Sequence, residues 1–117
     1  MTDATALKHD VFQAIADPTR RRMLMLLSQR EMPISELSAH FPQSRTAVVK
    51  HLQILSDAKL VHGRKSGREK IYRLQPEPLR ELHDWLAYFE RFWENKLAML
   101  KFSLEAETAA DSGEIRE

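Results

Sequence analysis

The sequence predicts a mainly α-helical domain carrying one small β-hairpin, and three observations support that reading. Apolar residues recur at helical spacing in four short segments and one long one. Residues that start helices stand ahead of those segments, notably Asp17-Pro18 and Ser44. Two short alternating runs, 60–64 and 69–74, flank Lys65-Ser66-Gly67-Arg68, which reads as a hairpin with a Gly-containing turn.

Taken in order, Leu7, Val11 and Ala14/Ile15 place an amphipathic helix over about 6–16, ending before Asp17-Pro18. Asp17 caps a second helix over about 18–29, Pro18 suits its first position, and Met23, Leu24, Leu26 and Leu27 form its apolar stripe. Glu31-Met32-Pro33 breaks it. Ser35 caps a short third helix with Leu37 and Phe41 inward, which stops at Phe41-Pro42 because a residue before proline is pushed out of the helical region. Ser44 caps a fourth over about 45–58, with Ala47/Val48, Leu52, Leu55 and Ala58 at core spacing and Arg45, Thr46, Val49, Lys50 and Gln53 on the opposite stripe. After the hairpin and Pro76 and Pro78, the spacing of Leu79, Leu82, Leu86, Phe89, Trp93, Leu97, Leu100 and Leu104 predicts a helix ending near 104. Trp85, Tyr88, Phe92 and Met99 lie beside that stripe, so its apolar sector is wider than one core contact requires. Residues 105–117 read as a flexible acidic tail, and 1–104 as one domain.

Composition narrows the function. With 117 residues and no cysteine, a large multi-domain enzyme, a disulfide framework, a thiolate metal site and a thiol nucleophile are excluded. No serine sits in a strained Gly-flanked elbow, so no enzyme is expected. No secretory leader and no membrane span are present in the pattern, and the expected location is the cytoplasm. The net charge of +1 conceals an uneven distribution: residues 1–43 are neutral, residues 44–73 hold eight Lys/Arg against Asp57 and Glu69, and residues 74–117 are net −5. The middle segment carries the footprint that nucleic-acid binding needs, while the acidic last third repels a polyanion.

Helix, helix, short helix, helix, hairpin and long helix is the winged helix-turn-helix order, with 18–74 as the reading head and 45–58 as the recognition helix. An α-helix fits the major groove, and a basic hairpin beside it lies along phosphates or enters the minor groove. Arg45 suits guanine, Gln43 and Gln53 suit adenine, Thr46 or Val49 packs on a thymine methyl, and Lys50 suits phosphate. Ser44 and His51 complete the candidate helix contacts, with His51 open to either a phosphate or a structural hydrogen bond. Arg64, Lys65, Arg68 and Lys70 are the candidate wing contacts. Arg20, Arg21 and Arg22 can touch the DNA backbone, but two of them read better as a solvated first-turn face.

The stretches Ala16-Asp17-Pro18-Thr19-Arg20-Arg21-Arg22-Met23-Leu24, Ser44 to Leu55 and Ala58-Lys59-Leu60-Val61, with the hairpin, resemble the ArsR-type (arsenical-repressor-like) bacterial transcriptional regulators. The similarity covers roughly 7–104, and Pro78-Leu79, Trp85-Leu86 and Phe92-Trp93-Glu94 resemble a metal-independent branch. The resemblance implies a homodimeric repressor, paired through its first and last helices (about 6–16 and 78–104), on a palindromic double-stranded operator. Leu7, Val11, Leu82, Trp85, Phe89, Phe92 and Trp93 are the candidate interface residues. Two departures stand out. Lys59 occupies a helix C-cap where the family usually has Gly, and Ser35-Glu36-Leu37-Ser38 and a lone His83 beside Asp84 occupy the regions where metal-sensing members hold their ligands.

No two of the five histidines share the i, i+3 or i, i+4 spacing of paired helical ligands, so no metal and no cofactor are expected. The aromatic stripe reads as core and dimer interface, with a small-molecule pocket as the other use. The residues identify no effector, small molecule or protein. A winged-helix module that docks a protein through its basic wing, without specific DNA binding, is the alternative from another class.

Overall fold

The computed structural model describes residues 10–115, with side chains through residue 108. One compact unit runs through Leu82, and a second begins at His83. The first unit holds the expected helices and hairpin around one apolar core that includes Val11, Met23, Leu37, Val48, Leu52, Leu55 and Leu60.

Helix α1 (Val11–Ala14) opens on a capping box, in which the Asp10 carboxylate accepts from Gln13 N at 2.8 Å and Gln13 Oε1 accepts from Asp10 N at 3.4 Å. Its end shows what Arg20 and Arg21 do. The last carbonyls of a helix have no partner within it. Here Arg20 donates to Ala14 O (2.7 Å) and Gln13 O (3.1 Å), and Arg21 donates to Ile15 O (2.7 Å) and Ala16 O (3.2 Å). Arg22 lies over the Phe41 ring at 5.5 Å. Arg20 is partly buried and ties two helices together, while Arg21 and Arg22 stay exposed, the solvated face expected for two of the three, with Arg21 also reaching those carbonyls. Leu7 lies outside the described residues. Val11 is buried in this chain's own core, and Leu82 packs against that core while keeping part of its surface exposed.

Helix α2 (Pro18–Leu27) starts as expected, with Asp17 accepting from Arg20 N at 3.1 Å and Pro18 at the first position. It stops two residues short of 29, where the Ser28 hydroxyl donates to Met25 O at 2.6 Å. Met32–Pro33 then forms a short edge strand, β1, where only a break was expected. Helix α3 (Ile34–Ala39) is capped at Pro33, and not at Ser35. The reason is nonlocal: the Ser35 N–H donates to the Glu69 carboxylate at 3.0 Å, so an acid from the hairpin satisfies the first turn. Leu37 and Phe41 point inward as expected.

Helix α4 (Arg45–Asp57) is capped by Ser44, whose hydroxyl accepts from Ala47 N at 3.2 Å. It ends through Lys59 at φ 64°, with Lys59 N donating to Ser56 O and Leu60 N to Leu55 O, each at 2.9 Å. That is a Schellman ending with a β-carbon where glycine has none. Strands β2 (Val61–Ser66) and β3 (Glu69–Leu74) pair antiparallel in the register Val61↔Leu74 to Ser66↔Glu69, and β1 joins the other edge of β3, giving the order β1-β3-β2. The loop is only Gly67-Arg68, with Gly67 at φ 66°, so Lys65 and Ser66 belong to the strand.

Helix α5 (Leu79–Ile115) is 37 residues long and overruns the end expected near 104. Glu105, Ala106, Glu107, Ala109 and Ala110 are strong helix formers, so the acidic segment expected as a flexible tail is helical through Ile115. Leu79 and Leu82 pack on the core of the first unit. No helix among the described residues is long and apolar enough to cross a membrane.

The left-handed residue at the end of α4 gives a direct test. Lys59→Gly removes the β-carbon clash while keeping both capping hydrogen bonds, so the denaturant midpoint should rise by the equivalent of about 1 kcal/mol. An unchanged or lower stability overturns the strain argument.

Candidate nucleic-acid interface

Burial of Val48, Leu52 and Leu55 turns the opposite side of α4 outward, and Arg45, Thr46, Val49, Lys50 and Gln53 are all exposed. Arg45 occupies the first helical position, next to the Ser44 cap. Arg45 and Val49 from α4, Arg68, Glu69, Lys70 and Tyr72 from the hairpin, and Ile34 from α3 line one cleft of about 330 Å³. The helix stripe and part of the wing, sought separately in the sequence, thus share a surface.

The other candidate residues are placed differently. Gln43 is partly buried in the turn between α3 and α4, with Nε2 donating to Thr19 Oγ1 at 3.3 Å, so it braces that turn against α2. Its Oε1 has no hydrogen-bond partner among the described residues. His51 faces α2, away from the exposed stripe, with Nδ1 3.2 Å from Arg20 Nη1. A guanidinium only donates, so Nδ1 accepts and Nε2 carries the ring proton of the neutral imidazole. Gln53 stays on the stripe, but its amide donates to Asp57 at 3.0 Å. In the wing, Arg64 is held by Glu31 at 2.5 Å. Lys65, Arg68 and Lys70 are exposed.

Lys65 and Lys70 stand directly opposite in the register. Like charges across a strand pair destabilise it, and an anion bound between them offsets that repulsion. Gly63 faces Tyr72 in the same ladder, and a β-carbon there would lie 2.8 Å from Tyr72 Cε1. The missing side chain lets the Tyr72 ring cover the strand and floor the cleft, and burial pushes the Tyr72 hydroxyl pKa up.

Sequence reasoning passed over Glu69. Its carboxylate joins α3 through Ser35 and lies 3.7 Å from Arg45 Nη2, so it links three elements at the mouth of the cleft. The available signal was one of two acids inside a segment rich in cations.

Along the second unit, Trp85, Leu86, Phe89, Phe92 and Trp93 line an open apolar groove of about 330 Å³. Trp85 and Phe89 meet edge-on at 5.1 Å, and Arg91 lies over Tyr88 and Phe92 at 5.3 and 5.2 Å. Trp85, Phe92 and Trp93 are each about half exposed. Among the described residues no three His, Asp or Glu side chains gather as a metal site.

Comparison with known proteins adds the following. Residues 17–62 match the family described as bacterial regulatory protein, arsR family. The chain is 38% identical over 86 residues to the HTH-type transcriptional regulator Rv2034 of Mycobacterium tuberculosis, covering 74% of this chain and 78% of the relative. It is 33% identical over 89 residues to the transcriptional repressor SdpR of Bacillus subtilis, covering 76% and 99%. Among solved structures, the ArsR-like transcriptional regulator from Rhodococcus sp. RHA1 superposes with a TM-score of 0.60 at 33% identity, covering 86% of this chain and 94% of that one.

Two surface acids respond to their partners. Hydrogen bonds from Ser35, aided by the Arg45 charge, hold Glu69 below the usual carboxylate value near 4.5, and the Arg64 hydrogen bond does the same for Glu31. A lowered folded-state pKa contributes stability that is present above the unfolded value and lost as pH falls through the folded one. Urea midpoints should therefore drop as pH falls below the usual carboxylate range toward the lowered folded-state values, and Glu31→Gln/Glu69→Gln should flatten part of that drop. An unaltered pH profile in the double variant counts against both pairs.

Proposed function

The chain belongs to the arsR family of bacterial regulatory proteins, DNA-binding transcriptional regulators, and we propose that it is a repressor that grips a palindromic operator as a homodimer. The observation that carries this is the shared cleft: an exposed helix stripe beginning at Arg45 beside a wing whose Lys65, Arg68 and Lys70 are exposed. Arg45 and Val49 reach base edges in the major groove, Lys50 meets phosphate, and the wing follows the backbone or the minor groove. The facing lysines of the wing support a phosphate role. Gln43 and His51 act behind the reading surface, holding α4 against α2.

We read the groove on α5 as the place where a second copy packs, which makes two recognition helices available to the two halves of a palindrome. The chain is read as metal-independent, since it has no cysteine and its metal-sensing positions carry Ser35, Ser38 and a lone His83. A protein-docking module gains no support from relatives whose names describe transcriptional regulators.

Two experiments test these readings. A duplex enriched by the wild type from a randomised pool and its scrambled counterpart are titrated with salt. Arg45→Ala should cost about 1–3 kcal/mol on the selected duplex and less on the scrambled one. Lys65→Ala or Arg68→Ala should weaken both duplexes alike and make the salt slope shallower by roughly one unit per contact. Equal losses for Arg45→Ala on both duplexes mean that α4 reads phosphates. Separately, sedimentation should find a dimer that Trp93→Glu converts to monomer with an unchanged circular dichroism spectrum. A wild-type monomer at micromolar concentration overturns the dimer.

A further inference from the structure

Of the two carboxylates in the basic segment, Asp57 sits at the far end of α4, occupied by Gln53. Glu69 lies in the reading cleft itself, among Arg45, Arg68 and Lys70. A surface built to meet a polyanion gains nothing in affinity from a carboxylate at that point. This one is also fixed in place: the Ser35 N–H anchors it to α3 at 3.0 Å, on the side where Arg45 Nη2 lies 3.7 Å away.

We propose that Glu69 is a specificity-determining residue for DNA that acts through Arg45, occupying its guanidinium until a base edge offers a better pair of acceptors. The inference rests on the DNA-reading function above and deepens it. Both partners are substantially exposed, 57% and 39% of their side chains, so the pair is weak and gives way to a strong competitor. Guanine O6 and N7 accept from the fork of a guanidinium together, and that contact is fixed in register. A phosphate also accepts from that fork, but it carries a negative charge and meets the repulsion of the anchored carboxylate, which a neutral guanine edge does not. Specificity is a difference of affinities, and a group that penalises the wrong partner widens it.

Capping α3 does not require the charge, because the Ser35 N–H needs only an acceptor oxygen. Glu69→Gln keeps that oxygen and removes the charge, which separates the two roles in a variant that retains the helix cap. Wild type, Glu69→Gln, Arg45→Ala and the double variant are titrated with salt on the selected and scrambled duplexes. Glu69→Gln should bind the scrambled duplex about three- to tenfold tighter, with a salt slope steeper by about one unit per protomer, and gain little on the selected duplex. In the Arg45→Ala background its effect on the ratio of the two affinities should vanish. An equal gain on both duplexes, no change on either, or an effect on the ratio that persists without Arg45 each overturns the proposal while leaving the DNA reading intact. A wild type that enriches no sequence overturns both.

Discussion

The burial of Val48, Leu52 and Leu55 fixes the rotation of α4 about its axis, and the reading surface follows from it. With 3.6 residues per turn, three inward side chains leave one outward stripe, and Arg45, Val49 and Lys50 fall on it. The ends of α4 set its position along the axis, through Ser44 at the start and the left-handed Lys59 at the finish. Arg20 holds its flank by joining His51 to the last carbonyls of α1. A packing requirement thus places the polar side chains without any of them contributing to the core.

What the sequence showed and what it hid divide by range. Asp17-Pro18, Ser44 and the Gly67 turn are local signals, each decided by side chains within three or four residues, and all three stand in the structure. The family resemblance was legible for the same reason, because it rests on contiguous stretches. Strand β1 escaped because two residues give no periodicity, and its existence depends on β3 forty residues later. Ser35 has the residue type of a local cap, whereas its N–H is satisfied by Glu69 from the hairpin. The end of α5 is hidden because a polar, acidic segment shares its composition with a flexible tail, although alanine and glutamate favour helix.

The candidate site divides in the same way. The outward stripe was legible from helical spacing, and the structure keeps all five of its residues exposed. Gln43 and His51 were not separable from it by residue type, since an amide or an imidazole serves a base, a phosphate or a neighbouring helix equally well. The position of α2, which brings Thr19 and Arg20 to them, gives each a partner within the fold that no local pattern announces.

Charge counting has a related weakness. The segment 44–73 has a net charge of +6, yet Arg64 faces Glu31 and Arg45 faces Glu69 within the fold, so a cation in the sequence is not a phosphate contact in the complex. Such exposed pairs add little stability. Their weakness leaves both arginines recruitable, at the expense of the pair each one leaves. Lys65 and Lys70 are in the opposite condition, facing each other across the ladder and destabilised until an anion arrives. The cations of this surface are therefore graded: Lys65, Arg68 and Lys70 stand exposed around the tip of the wing, while Arg64 and, on α4, Arg45 each face a carboxylate. That gradient suits a protein that must first associate with DNA of any sequence and then discriminate among sites, because the contacts made first are those that carry no sequence information.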